Sequence, residues 1–378
     1  MIPFFGGRIA VALTCVLAVL AAGANRASAK DPEKFVAHEW GTFSTFSGSD
    51  GKNLKFHPND RDLPNFVHDN HRNIKGGVAD VLVSLETPVL YFYSDRDLTI
   101  SVQVDFPKGT MTDWYPQASR PPTHELRWDN INVLAKDRPK LIGDGDKGRY
   151  YAARETDALP LEITENGKRE AEKFLFYRGV GDLAMPFTVR ARGNGAFDVK
   201  NTGKDAVPAF VLLRVQGAKV YFQQFGRLDA GAERRVEEPA AASTAEKLGE
   251  AVVALLIGQG LYEKEARAMV KTWSADWFGE EGTRVLYLVS EPLTADFLPM
   301  KIVPKPEKLV RVMVGRHDVL PPERERQVEV LVRQATGESN REAKAADQAL
   351  SRLGRYRWAA QSAAEARIKA NDSARTGR

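Results

Sequence analysis

The sequence predicts a mainly β protein with added α structure: antiparallel, β-sandwich-like N-terminal regions, then a helical hairpin, a small α+β segment and a C-terminal helical tail. Three observations predict it. Apolar residues alternate from Phe35 to about Glu238, the period of strands with one buried face. Gly, Pro and Asn punctuate that stretch at short intervals, which favours packed antiparallel sheets over βα units. At Ser243 the apolar period changes to that of a helix.

Residues 1–29 carry Arg8, the apolar run IAVALTCVLAVLAAGA and then Ala27, Ser28 and Ala29. This is the order of a secretory signal peptide, so the mature chain is expected to begin at Lys30, outside the cytoplasm, in the periplasm or beyond it. The run is shorter than the roughly 20 residues of a bilayer span, and no later stretch approaches that length, so no transmembrane span is expected. Cys15, the only cysteine, lies in this leader. The mature chain therefore has no thiol for disulfides or nucleophilic chemistry.

From residue 30 to 165 a β-rich domain is expected, with a long His-containing loop. ETPVLYFYS and LTISVQVDF read as two strands about the turn DRD, with Ile100, Val102 and Val104 sharing a face. Residues 166–240 read as sandwich-like hairpins. In FTVRARGNGAFDVKNTG the alternation of Phe187, Val189 and Ala191 resumes at Phe197 and Val199, and Asn194-Gly195 supplies the positive φ angles of a tight turn. AFVLLRVQGAKVYFQQFGRL repeats the arrangement around Gly217.

Residues 241–337 are expected to form a helical hairpin and an α+β segment. Ser243 and Glu246 have the spacing of a capping box, followed by Leu248, Val252 and Leu255. A second helix carries Ala266, Met269, Val270, Trp273 and Trp277 on one stripe, an internal packing face together with Phe278. RVLYLVS and KLVRVMVG return to strands, and a helix with Val328, Leu331, Val332 and Ala335 follows Pro321-Pro322. Residues 338–378 form a basic tail with a helix capped by Ser339 and a disordered end after about Asn371.

HEWGTF, ETPVLYFYS, TWSADWF and LVRVMVGR, in that order between about residues 36 and 330, resemble a family of exported bacterial proteins of uncharacterised activity. The resemblance implies export; it implies no cofactor and no catalytic residue.

Charge excludes one class of partner. Without Arg8 and Arg26, 52 basic residues face 50 acidic ones, too even a balance for a nucleic-acid surface. The basic excess is local to residues 341–378, with nine Lys or Arg against four Asp or Glu. That tail is read as a solvated helix face that also offers a contact to an anionic envelope.

The candidate chemistry rests on six histidines. His38-Glu39 and His124-Glu125 are candidate acid-base pairs, so His38, Glu39 and His124 are the catalytic candidates. Adjacent strand residues point to opposite faces, however, so His38 and Glu39 share one site only if a bulge intervenes. His68 and His71, three apart in KFHPNDRDLPNFVHDNHRN, would suit zinc or another divalent metal with His38 as a third ligand; the sequence otherwise demands no cofactor. Trp114, Tyr115 and Trp128 flank a proline-rich loop suited to stacking on a small molecule, glycan or peptide, and Arg178 would pair with a ligand acid or a buried carboxylate. GDGDKG has the letters of a dinucleotide fingerprint but no following helix, and reads as a turn. The leading expectation is a non-catalytic exported binding or envelope-associated protein; the alternative is a secreted hydrolase, metal-assisted, with a His/Glu site in the N-terminal β domain.

Overall fold

The computed structural model describes residues 35–58, 62–70, 80–120, 122–337 and 339–376. The signal-peptide expectation falls outside them. The chain begins with β1 (Phe35–Ser47), β2 (His68–Asp69), β3 (Val83–Ser94), β4 (Leu98–Asp105), β5 (Gly109–Tyr115), β6 (Glu125–Val133) and a helical turn, α1 (Arg149–Ala152). It continues through β7 (Leu161–Glu165), β8 (Lys168–Glu172), β9 (Leu175–Gly181), β10 (Phe187–Ala191), β11 (Ala196–Asn201), β12 (Phe210–Gln216), β13 (Lys219–Phe225), β14 (Glu233–Glu237) and β15 (Ala242–Ser243). The helical hairpin α2 (Ala245–Gly258) and α3 (Glu263–Ser274) leads to β16 (Gly282–Val289), α4 (Glu291–Phe297), β17 (Met300–Val303) and β18 (Lys308–Val319). Three helices follow: α5 (Pro322–Ala335), α6 (Asn340–Ser351) and α7 (Arg357–Thr376).

The protein is mainly β with mostly antiparallel sheets, as its alternation predicts. Ten strands form one sheet in the order β15-β13-β12-β16-β18-β1-β3-β9-β5-β2; β4, β6, β7, β8 and β17 form a second, and β10, β11 and β14 a third. The three segments expected at residues 30–165, 166–240 and 241–337 therefore all contribute strands to the large sheet. ETPVLYFYS and LTISVQVDF are both strands, but the turn between them passes from the large sheet to the five-stranded one. The hairpin at Asn194-Gly195 is present, with φ of 64° and 79°, and Gly217 turns the next one at φ 56°.

The period of two sorts side chains onto the two faces of the large sheet. Phe35, Ala37 and Phe43 of β1, with Tyr177, Leu212, Val285 and Met313, bury against Ile100, Val102, Trp128, Val189 and Phe197 of the smaller sheets. Trp40, with Val89, Tyr91, Val211, Leu286, Val310 and Val312, buries against Leu248, Val252, Met269 and Trp273 of the helical hairpin and Trp277 in the helical turn that follows it. Trp273, Trp277 and Phe278 are thus core residues, as their spacing implies. The N-cap of α2 is Thr244, whose hydroxyl accepts from the Lys247 amide at 3.2 Å; the cap is one residue later than the Ser243 spacing suggests.

One pairing departs from the antiparallel scheme. β1 lies parallel to β18, Val36 opposite Lys308 through Ser47 opposite Val319. Their C-terminal ends emerge side by side, next to the first residues of β16. Against that end a third apolar cluster joins Phe46 and Phe56 to Val328 and Val332 of α5 and to Leu350, Tyr356 and Ala360 of the tail. α7 runs through Thr376, past the point where a disordered end is expected.

Candidate functional site

His38 and Glu39 lie on opposite faces. The bulge in β1 falls at Gly41, after both residues. Toward the helices, His38 Nδ1 is 2.8 Å from Glu265 Oε2 on α3, and the exposed Tyr262 ring lies 4.4 Å from the imidazole. Glu265 also accepts from Tyr93 Oη at 2.6 Å and from the Tyr262 amide at 2.8 Å. Toward the smaller sheets, the fully buried Glu39 accepts from Arg311 Nε at 2.7 Å and from the Tyr177 phenol. Glu39 is therefore one half of a buried ion pair, and the two residues do not form one site.

The remaining histidines do not join His38. His68 on β2 bonds Glu170 at 3.0 Å and stacks near Trp114 and Tyr115. Four strand spacings separate β2 from β1 in the sheet, about 19 Å at ~4.8 Å each. His124 Nδ1 bonds the Gly109 carbonyl, and His71 lies outside the described residues. Among the described residues, no group of three or more His, Cys, Asp or Glu is arranged to hold a metal ion, so the His38–His68 zinc set does not assemble. Glu170 serves instead as an acceptor: burial alone would raise its pKa, but hydrogen bonds from His68, Lys168 and the Gln117 amide bring it down to about 2.

The aromatic stacking surface is also absent from where the sequence placed it. Trp114, Tyr115 and Trp128 are buried, and Trp128 Nε1 donates to the Pro116 carbonyl at 2.8 Å. Trp114 and Tyr115, adjacent on β5, point to opposite faces of the large sheet, and all three rings fill the space between layers. Arg178 takes the buried-carboxylate option, donating to Asp62 at 2.7 and 2.9 Å and to Thr87 Oγ1 at 3.3 Å.

A different constellation gathers at the C-terminal ends of β1 and β18. Residues at even positions of β18 face the helices, and the apolar series Val310, Val312, Val314 gives way there to Arg316 and Asp318. Asp318 accepts from Arg316 Nε at 2.6 Å, Arg284 Nε at 2.8 Å and Tyr356 Oη at 2.8 Å. Burial alone would raise its pKa, but the Arg316 and Arg284 guanidiniums hold it far below the usual carboxylate range. Arg284 also ties down the carbonyls of Asp276, Trp277 and Glu280, the backbone just after α3. From the tail, Arg355 pairs with Glu86 and donates to Ser44 Oγ at 3.3 Å. Next to it, Arg149 bridges Asp62 and Asp276, each at 2.8 to 2.9 Å; burial pushes the Asp276 carboxyl up in spite of Arg149.

This charged layer opens to a cleft of about 830 Å³, bounded by β16, the start of α5 and the Arg352–Tyr356 turn. Five arginines and five carboxylates line it, beside apolar surface from Phe46, Val319, Leu320 and Leu353. A cleft of this size accepts a small polar molecule, and convergent guanidiniums suit an oxyanion on it. Arg284, Asp318, Arg355 and Glu86 are not among the site candidates that the sequence offers. The only available signal for the site is charge replacing apolar residues at alternate positions of KLVRVMVGRHDV.

No protein-family profile matches the chain, and no curated protein does. Among solved structures the chain is similar to the yeast delta-COP-I mu-homology domain complexed with a Dsl1 WxWxV peptide, at 6% identity, TM-score 0.31, covering 76% of this chain and 98% of that one. The same domain without the peptide matches at 8% identity and TM-score 0.29, covering 76% and 97%. At that level the likeness carries no argument about function.

Proposed function

We propose that the chain is an exported, non-catalytic binding protein whose ligand seat is the cleft at the C-terminal ends of β1 and β18. The observation that carries this reading is the convergence of Arg284, Arg355 and Asp318 at the base of an 830 Å³ cleft, on strand ends held by the large sheet. The ligand is a small polar molecule, recognised by charge-assisted hydrogen bonds. No described helix is long and apolar enough to cross a membrane, and three of the tail's arginines make internal pairs: Arg355 with Glu86, Arg357 with Asp347 and Arg367 with Glu329 and Glu325. Export rests on the leader and is tested by N-terminal sequencing of the protein from fractionated cells; a chain starting at Lys30 is expected. Binding is tested by a thermal-shift screen of polar metabolites. Hits should lose their effect in a cleft-rim double variant, Arg324→Glu with Arg352→Glu; hits indifferent to that variant place the ligand elsewhere.

The hydrolase reading has one observation in its favour. Glu265 holds the His38 imidazole by Nδ1, as an orienting carboxylate holds a catalytic base, and Nε2 has no partner. Ester or amide turnover lost in His38→Ala would establish it.

A further inference from the structure

Four buried polar atoms behind the lining of the cleft have no hydrogen-bond partner: Thr42 Oγ1, Glu86 Oε2, Arg316 Nη1 and Arg355 Nε; of the four residues only Arg355 lines the cleft, with Glu86 bonded to it and Arg316 bonded to the lining Asp318 and Glu280. Strand register puts them together. Thr42 is opposite Glu86 across β1 and β3, and Ser44 is opposite Arg316 across β1 and β18. Arg355 reaches in from the tail to both Ser44 and Glu86, while lining the cleft itself. Thr42 is fully buried, so its unpaired hydroxyl is a standing cost to the fold. Buried groups of this kind are normally satisfied, and an exception asks for a ligand or an ordered water.

The chemistry of the four atoms restricts the ligand. Two are guanidinium donors and one is a carboxylate acceptor, so the complement must accept on one side and donate on the other. A lone phosphate or carboxylate meets repulsion from Glu86; a lone amine meets it from Arg316 and Arg355. The cleft above is balanced in the same way, with equal numbers of arginines and carboxylates. We propose that this layer behind Arg355 is a zwitterion subsite, entered from the cleft, that takes a small α-amino acid, its carboxylate between Arg316 and Arg355 and its ammonium on Glu86, with Thr42 donating to the carboxylate. The Arg355–Glu86 pair stands in for the ligand's two charges and separates to admit it. This inference rests on the cleft being a binding site.

The test is calorimetric titration of the full mature chain with the common α-amino acids, followed by the N-acetyl and carboxamide derivatives of the best binder. The free amino acid is expected to bind, and blocking either end to weaken it at least tenfold. Thr42→Val should weaken binding with no fall in melting temperature, which a purely structural threonine would not do. Glu86→Gln should reduce the penalty for N-acetylation; if that variant does not fold, Thr42→Val and the derivative series decide alone. Equal affinity for the N-acetyl derivative overturns the zwitterion assignment and leaves an anion-binding cleft. The same holds if no amino acid binds but another polar molecule binds in a manner sensitive to Arg324→Glu with Arg352→Glu. No binding of any probe overturns the subsite and the cleft reading together.

Discussion

His317 is held neutral. Its Nδ1 lies 2.8 Å from Thr45 Oγ1 and its Nε2 2.9 Å from Ser47 Oγ, on the face away from Asp318. Burial lowers its pKa to about 4, although Asp318 pulls the other way. Unfolded, the same imidazole titrates near 6.5, so between about pH 6.5 and 4 the unfolded chain binds more protons. The contribution to stability is therefore complete above pH 6.5 and falls with pH through that window, by roughly 3 kcal/mol. Urea unfolding at pH 7 and pH 4 should show a correspondingly larger loss in the wild type than in His317→Gln; equal losses would refute a neutral buried His317. Two residues earlier, Gly315 carries the Tyr287 ring so closely that an added Cβ would lie 2.0 Å from it, and that ring is stacked on Phe187 at 3.9 Å. Gly315→Ala should thus cost about 1 to 3 kcal/mol by overpacking, read as a lower urea midpoint at unchanged slope. Nothing local marks either residue. The opposite facing of His38 and Glu39 was legible because strand periodicity is a local property. Their partners were not, since Glu265 and Arg311 are 227 and 272 residues away.

Elements show the same division. The hairpin at Asn194-Gly195 and the helices with Leu248 and Trp273 follow from turn chemistry and period, and each is present. Trp277→Ala should lower stability by about 3 to 5 kcal/mol, because the ring is fully buried against Trp273 and Phe278. The tail is where composition misleads. Its few large apolar groups suggest weak docking, yet Tyr356 stacks on Phe46 at 4.5 Å and lies 5.3 Å from Phe56, and its phenol caps Asp318. A sparse sequence docks firmly when one of its two aromatics meets two others in a gap between strand ends. Deleting residues from Asn340 onward should expose Phe46, Phe56 and Leu320 and leave Asp318 short of a donor. We expect a clear fall in melting temperature or loss of soluble expression, against the near-intact folding that composition suggests; an unchanged melting curve would show the docking to be energetically idle.

On the scale of the whole molecule, the class was readable and the wiring was not. Alternation and turn residues report that strands exist and that they are mostly antiparallel. They do not report that the large sheet draws on segments from Phe35 to Val319, because strand partnership depends on tertiary complementarity and not on period. The shared sheet carries its own expectation. Far-UV and near-UV signals should fall in one coincident urea transition; two transitions would show that the sheet parts along a seam.

The parallel neighbours β1 and β18 also set a clock. Val36 lies beside Lys308, so one side of the earliest described strand goes without its partner until nearly the entire sheet has been synthesised. At about 5 to 20 residues per second, the 272-residue interval between them takes roughly 15 to 50 s. For that time the edge of FVAHEWGTFSTFS is open to pairing with any other extended chain. A nascent protein built this way depends on being shielded while it waits, and its yield should be set by the supply of chaperone more than by the stability of the finished fold.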